Sequence, residues 1–121
     1  MSTVPGELLK VFMITYNHEA FVREAVESVL MQRTDFPVLL VIGEDKSTDG
    51  TRAIVQELAA KHPDRIKPIL HETNLGAART GLDVWEECLT DSTYVAILEG
   101  DDFWTDPLKL QKQVDLLRAD R

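Results

Sequence analysis

At 121 residues the chain is the size of one domain and can bury about two-thirds of its unfolded surface around a single core. Its 44% apolar and 28% charged residues are ordinary globular usage, which excludes disordered and fibrous classes. A formal net charge of −8, from 13 basic and 21 acidic side chains, argues against a protein that embraces nucleic acid or an anionic membrane surface, since both demand a positive footprint.

The longest apolar runs are too short to span a bilayer. The opening residues Met1 to Glu7 lack the basic region and long apolar core of a signal peptide, so a cytoplasmic protein, or one peripheral to the inner face of a membrane, is expected. The single cysteine, Cys88, cannot form an internal disulfide and falls in a helical pattern where a buried thiol is expected rather than a nucleophile.

In chain order, Leu8 to Thr15 is an apolar run with one Lys and predicts a first strand. Tyr16 to Glu19 is a loop, after which Phe21, Val22, Ala25, Val26, Val29 and Leu30 recur at helical spacing. Pro37 to Gly43 predicts a second strand, ending at Glu44 and Asp45. Thr51 to Lys61 predicts a helix with Asp49 as its N-cap. Ile66 to Leu70 is a short third strand, Gly76 to Cys88 a helix, and Tyr94 to Leu98 a fourth, buried strand. Pro107 opens a last helix whose apolar side is Leu108, Leu110, Val114 and Leu117. Strands alternating with helices imply an α/β fold, a mainly parallel sheet with helices on both faces and right-handed crossovers. Residues 1–121 read as a single domain, without repeat or linker.

The chemistry gathers where strands end, which in open α/β sheets is the rim of the ligand crevice. The fourth strand runs into Glu99-Gly100-Asp101-Asp102, three carboxylates whose mutual repulsion a divalent cation would relieve. Oxygen ligands of this kind suit Mg2+ or Mn2+, and magnesium is usually held by one or two carboxylates plus substrate phosphates. The competing reading is a solvated turn at a helix start. The second strand runs into Glu44-Asp45-Lys46-Ser47-Thr48-Asp49-Gly50-Thr51. Its spacing nearly fits a calcium loop, but the twelfth place is Gln56 and a strand precedes it, which disfavours that reading. Asp45 is better read as a hydrogen-bond acceptor for a ligand lying across the strand ends. Thr15-Tyr16-Asn17 ends the first strand, where Tyr16 could stack on a planar ring and Thr15 supply a hydroxyl or backbone contact. His18 reads as a helix-entry residue rather than a general base. Asn74-Leu75-Gly76-Ala77-Ala78-Arg79 follows the third strand: Gly76 permits a sharp turn into a helix, and Arg79 could pair with a phosphate or a base carbonyl.

Taken together and in this order, the Thr-Tyr-Asn turn, the Glu-Asp-x-Ser-x-Asp-Gly-Thr segment, the Asn-x-Gly turn and the Asp-x-Asp-like acidic motif resemble family 2 glycosyltransferases of the GT-A fold. The resemblance runs from Val11 to about Leu117 and includes Trp104, Pro107, Lys109, Leu110 and Gln113. It implies a Rossmann-like nucleotide-binding half with a nucleotide-sugar site. Thr15, Tyr16, Asn17, Asp45 and Gly76 would then lie on the donor side, with Thr15, Tyr16 and Asp45 around the nucleobase, commonly uracil. Arg79 would lie beside the base or phosphates and Asp101 at the ribose. Asp102 would hold Mn2+ or Mg2+ bridging the diphosphate, with Asp101 and Glu99 beside it. Glu99 stands where the family often has the first acid of its motif, and Gly81 near a position where many members carry Asn.

The resemblance also implies a glycan or other hydroxyl acceptor and transfer with inversion. The family's catalytic base comes from a later segment, so these residues are expected to be the donor-binding half of a larger enzyme, inactive in transfer alone. Two alternatives stay open: a non-catalytic module that keeps the donor site, and a signalling receiver domain. The second would place its acidic pair after the first strand, where this chain has Thr15-Tyr16-Asn17.

Overall fold

The computed structural model describes residues 7–120. Met1 to Gly6, most of the stretch read above for a signal peptide, and Arg121 lie outside the described residues. The elements alternate as β1 (Leu9–Thr15), α1 (Val22–Leu30), β2 (Val38–Glu44), α2 (Thr51–Lys61), β3 (Ile66–Leu70), α3 (Ala77–Cys88), β4 (Tyr94–Ile97) and α4 (Lys109–Ala119). The four strands form one sheet in the order β3-β2-β1-β4, and every neighbouring pair is parallel.

Strand periodicity divides the core in two. Val11 and Met13 of β1 and Leu40 and Ile42 of β2 face one side, where α1, α2 and α4 contribute Val26, Val55 and Leu110. The alternate residues Phe12, Ile14, Leu39 and Val41 face α3, which supplies Val84 and Cys88. Lys10, on that second face and nearly buried, donates its ammonium to the carbonyls of Glu87 and Thr90, at 2.9 and 2.5 Å. It thereby ties the last turn of α3 and the residues just after it to β1.

Three details depart from the sequence expectations. First, β4 is an edge strand rather than a buried one: Tyr94, Val95 and Ala96 are half-buried and Ile97 is 60% exposed. Second, α4 begins at Lys109, two residues after Pro107, and buries Leu110 and Val114 while Leu108 and Leu117 stay exposed. The carbonyl of Pro107 instead accepts the Arg33 N–H, tying the approach of α4 to the end of α1. Third, Gly50 rather than Asp49 occupies the N-cap of α2; Asp49 stands one residue earlier and accepts both the N–H and the hydroxyl of Thr51. Cys88 is fully buried, and desolvation pushes its thiol up to about 11, which leaves it inert as a nucleophile near neutral pH.

Candidate functional site

The chain builds the sheet outward from β1 to β2 to β3, then crosses back to lay β4 on the other side of β1. That reversal opens a crevice at the carboxyl ends of β1 and β4, the topological switch point where open α/β sheets bind ligands. A cavity of about 380 Å³ occupies it. Thr15, Tyr16 and His18 line it from the end of β1, Asp45 from β2, Asn74 and Gly76 from the turn before α3, and Glu99 from the end of β4.

Gly100 seats the acidic loop against β1. It is buried, its N–H donates to the Ile14 carbonyl at 3.2 Å, and a Cβ there would lie 2.6 Å from Thr15 Oγ1 and 2.9 Å from His18 Nδ1. Only glycine permits this approach. Gly76 has a different reason to be glycine: its φ of 93° lies where side chains are disfavoured, and it turns the chain into α3.

The end of β2 carries two carboxylates that are each held by several hydrogen bonds. Glu44 is fully buried and accepts N–H bonds from Lys46 and Ser47 plus the Arg52 guanidinium at 2.7 Å. These contacts fold the loop that follows. Asp45 faces the other way and is 4% exposed. Its Oδ1 accepts the Leu75 N–H at 2.9 Å and lies 3.0 Å from His71 Nδ1; its Oδ2 accepts the Gly76 N–H at 2.9 Å. Burial alone would raise its pKa, but hydrogen bonds from His71, Leu75 and Gly76 outweigh this and hold it below the ordinary carboxylate value. Asp45 is therefore a fixed anion at the cavity wall, with acceptor capacity left on Oδ2.

The acidic loop is its opposite. The Asp102 N–H donates to the Glu99 carbonyl, closing a tight turn, and Glu99, Asp101 and Asp102 are all exposed. Among the described residues the Asp102 carboxylate accepts one hydrogen bond, from the Phe103 N–H at 2.8 Å. Among the described residues no cationic side chain pairs with these three acids, and no three acidic, His or Cys side chains converge as a metal cage. The donor chemistry fits a hard cation that takes one or two carboxylates and completes its shell with phosphate oxygens and water, not a closed all-protein site.

The sequence candidates thus separate. Thr15, Tyr16, Asp45, Gly76 and Glu99 meet at the cavity, whereas Asn17, Arg79, Asp101 and Asp102 are not among its walls. Asn17, in the left-handed region at φ 55°, uses its side-chain oxygen to accept the N–H and hydroxyl of Thr48. Its own N–H donates to Ser47 Oγ, so it ties the β1 loop to the β2 loop. Arg79 is largely exposed on α3 and pairs with Asp83 one turn on, at 3.2 Å. The calcium-loop spacing has no geometric counterpart, because Asp45, Ser47 and Asp49 face separate partners at Gly76, Asn17 and Thr51. His18 opens α1, its carbonyl accepting the N–H groups of Phe21 and Val22, and its ring also faces the cavity, 3.0 Å from Thr15 Oγ1.

Sequence reasoning passed over His71, Thr80 and Asp83. His71 follows β3 directly, is 8% exposed, and sets one ring nitrogen against Asp45 and the other 2.9 Å from Asp83. A histidine at the carboxyl end of a parallel strand, followed by Thr80 and Asp83 on one helical face, was the available signal.

The model of the family described as glycosyl transferase family 2 matches residues 10–121. An uncharacterized protein of Mycobacterium tuberculosis is 45% identical over 109 residues, 90% of this chain and 31% of that protein. Among solved structures, the mannosyltransferase PcManGT of Pyrobaculum calidifontis, in complex with GDP-Man and Mn2+, superposes with a TM-score of 0.74. It is 26% identical over 90% of this chain and 32% of its own. TarS of S. aureus, in complex with UDP, shares the fold at the same TM-score of 0.74, with 23% identity over 92% of this chain and 32% of its own. The chain spans about a third of the length of each. A four-stranded parallel sheet with its crevice between β1 and β4, the ordered strand-end motifs and a family match over nearly all of its length make this chain a member of glycosyl transferase family 2, with the GT-A fold.

Proposed function

We propose that this domain binds the nucleotide-sugar donor, a UDP-sugar, of an inverting glycosyltransferase that uses Mn2+ or Mg2+ and a hydroxyl acceptor on a glycan or similar molecule. The observation that carries this reading is the fixed Asp45 anion at the wall of the switch-point cavity, which Glu99 of the acidic loop also lines; among the described residues no cationic side chain pairs with that loop. Asp45 Oδ2 offers an acceptor to the ring N–H of a pyrimidine such as uracil, and Tyr16, 41% exposed at the cavity mouth, offers it a stacking face. Asp101 is assigned to the ribose, Asp102 with Asp101 and Glu99 to the cation, and Arg79 to the phosphates if it exchanges its pairing with Asp83 for them. The metal-bound state of the GT-A neighbour that carries GDP-Man supports a nucleotide sugar with a divalent cation as the ligand class. When bound, the cation would neutralise charge on the departing diphosphate. The protein's own part is to orient the donor and hold the base side still.

The test is calorimetric titration of the 121-residue chain with UDP, GDP and ADP, in manganese and in chelator. UDP binding tighter than that of the purine nucleotides, and tighter with manganese, is expected. Absence of heat with any nucleotide contradicts the donor assignment, and a preference for GDP contradicts the uracil assignment alone.

A further inference from the structure

Both ring nitrogens of His71 face carboxylates: Nδ1 is 3.0 Å from Asp45 Oδ1 and Nε2 is 2.9 Å from Asp83 Oδ2. A neutral imidazole carries one N–H, so one of these contacts would set a lone pair against an anion. The doubly protonated ring satisfies both. The remaining polar neighbours do not change this. Thr80 Oγ1, 3.3 Å from Nδ1, donates its own proton to the Gly76 carbonyl and is free to accept. From α2, Arg52 donates to the His71 carbonyl at 2.9 Å, but its guanidinium is already paired with Glu44. From α3, Arg79 pairs with the outer oxygen of Asp83. The ring is nearly excluded from solvent, where such contacts are strong. The hydrogen bond to Asp45, aided by that to Asp83, outweighs burial and raises the His71 pKa.

We infer that His71 is a positioning residue: in its imidazolium form it holds Asp45 against the cavity and, through Asp83, couples that anion to Arg79. This inference rests on the donor reading above, in which Asp45 meets the base. The chain of contacts Asp45, His71, Asp83, Arg79 runs from the floor of the cavity to the exposed face of α3. It joins two candidate ligand contacts that lie 34 positions apart in the sequence. Loss of the ring proton leaves Asp45 or Asp83 without its donor. Where Nδ1 is the nitrogen that loses its proton, Asp45 keeps only the Leu75 and Gly76 N–H groups among the described donors; in either case the link from Asp45 to α3 is broken.

Two measurements on the whole chain test this. Ring-nitrogen NMR of the free protein should find both His71 nitrogens protonated, with a midpoint above the ordinary value of about 6.5. Asp83→Asn should lower that midpoint. A neutral ring at pH 6 in the unsubstituted protein, or a midpoint that Asp83→Asn leaves unmoved, overturns the inference without touching the donor reading. In parallel, UDP affinity is followed across the His71 titration in the unsubstituted protein, Asp83→Asn and His71→Asn. The unsubstituted protein should lose about fivefold in affinity as the ring deprotonates, the scale separating a charge-assisted hydrogen bond from a neutral one. In Asp83→Asn the same loss should occur at lower pH. His71→Asn, which keeps a neutral donor toward Asp45, should be weak at all pH values and show only the ionisation of the nucleotide itself. UDP profiles that coincide in all three proteins overturn the positioning role alone. Absence of UDP binding at every pH overturns the donor reading and this inference with it. Should His71→Asn fail to fold, Asp83→Asn carries the same comparison.

Discussion

The two strand ends that face each other across the cavity are built on opposite principles. After β2, Glu44 and Asp45 are buried and each carboxylate is held by three neighbours: Lys46, Ser47 and Arg52 on one, Leu75, Gly76 and His71 on the other. After β4, Glu99, Asp101 and Asp102 stand in solvent, and among the described residues one backbone N–H serves their three carboxylates. The first arrangement is finished in the free protein and fixes one end of a ligand. The second is left electrostatically incomplete, and on the donor reading it is completed by what binds. Preorganisation on one side and an unneutralised anionic loop on the other divide the work between holding the base and receiving the cation with its diphosphate.

The contrast is broken most forcefully at Asp45. Asp45→Ala removes a buried carboxylate, orphans the Leu75 and Gly76 N–H groups and strands His71; urea unfolding should show a loss of about 3 kcal/mol. A loss below about 0.5 kcal/mol would show that this end is no more fixed than a surface loop. Gly100→Ala comes next. Its Cβ would meet Thr15 Oγ1 at 2.6 Å and His18 Nδ1 at 2.9 Å, so the acidic loop must lift off β1. An expected cost of about 1–3 kcal/mol, read from the same unfolding curves, goes with weakened UDP binding. Smallest in stability is Asp102→Ala, within about 0.5 kcal/mol of the parent because its side chain is exposed and, among the described residues, accepts one hydrogen bond, from the adjacent Phe103 N–H. Yet it should erase the manganese dependence of UDP binding, which Asp45→Ala should leave in whatever binding remains. Equal loss of the manganese response in both variants would dissolve the division.

Acid and base should also separate. Asp45 and Asp49 are held below their ordinary values, so the stability they add is present above the unfolded carboxylate pKa and is lost as pH falls through their lower folded values. For Asp49 the hydrogen bond from the Thr51 hydroxyl leads. His71 is raised, so its contribution is full below about 6.5 and is lost as pH rises through its folded pKa. Thermal unfolding should therefore show a plateau between about pH 4.5 and 6.5, with the alkaline decline reduced in His71→Asn. An alkaline limb unchanged in that variant would assign the decline to other groups.

How much of this was legible in the sequence follows from what each feature depends on. The order of elements and the parallel sheet were readable because Val11 and Met13 against Phe12 and Ile14, and the helical spacing after Tyr16, are local patterns. The exposure of β4 was not, because an apolar run such as Tyr94 to Leu98 looks the same at the centre of a sheet and at its edge. Nor was the start of α4, since a Pro at 107 fits either a first helical turn or the turn before it. The gathering of Thr15, Tyr16, Asp45 and Gly76 at one rim followed from strand-end placement alone. The commitments of Asn17 to Thr48 and of His71 to Asp45 and Asp83 did not, because they join residues 31, 26 and 12 positions apart through side-chain contacts that no motif announces.

The most direct test of the divided site is a pair of titrations, uridine and UDP, each performed in manganese and in chelator. Uridine reaches only the base side, so its affinity should be the same in both; UDP should bind more tightly in manganese, by about tenfold or more if one cation bridges carboxylate and diphosphate. Equal UDP affinity in the two buffers, or a uridine affinity that follows the metal, would contradict the account.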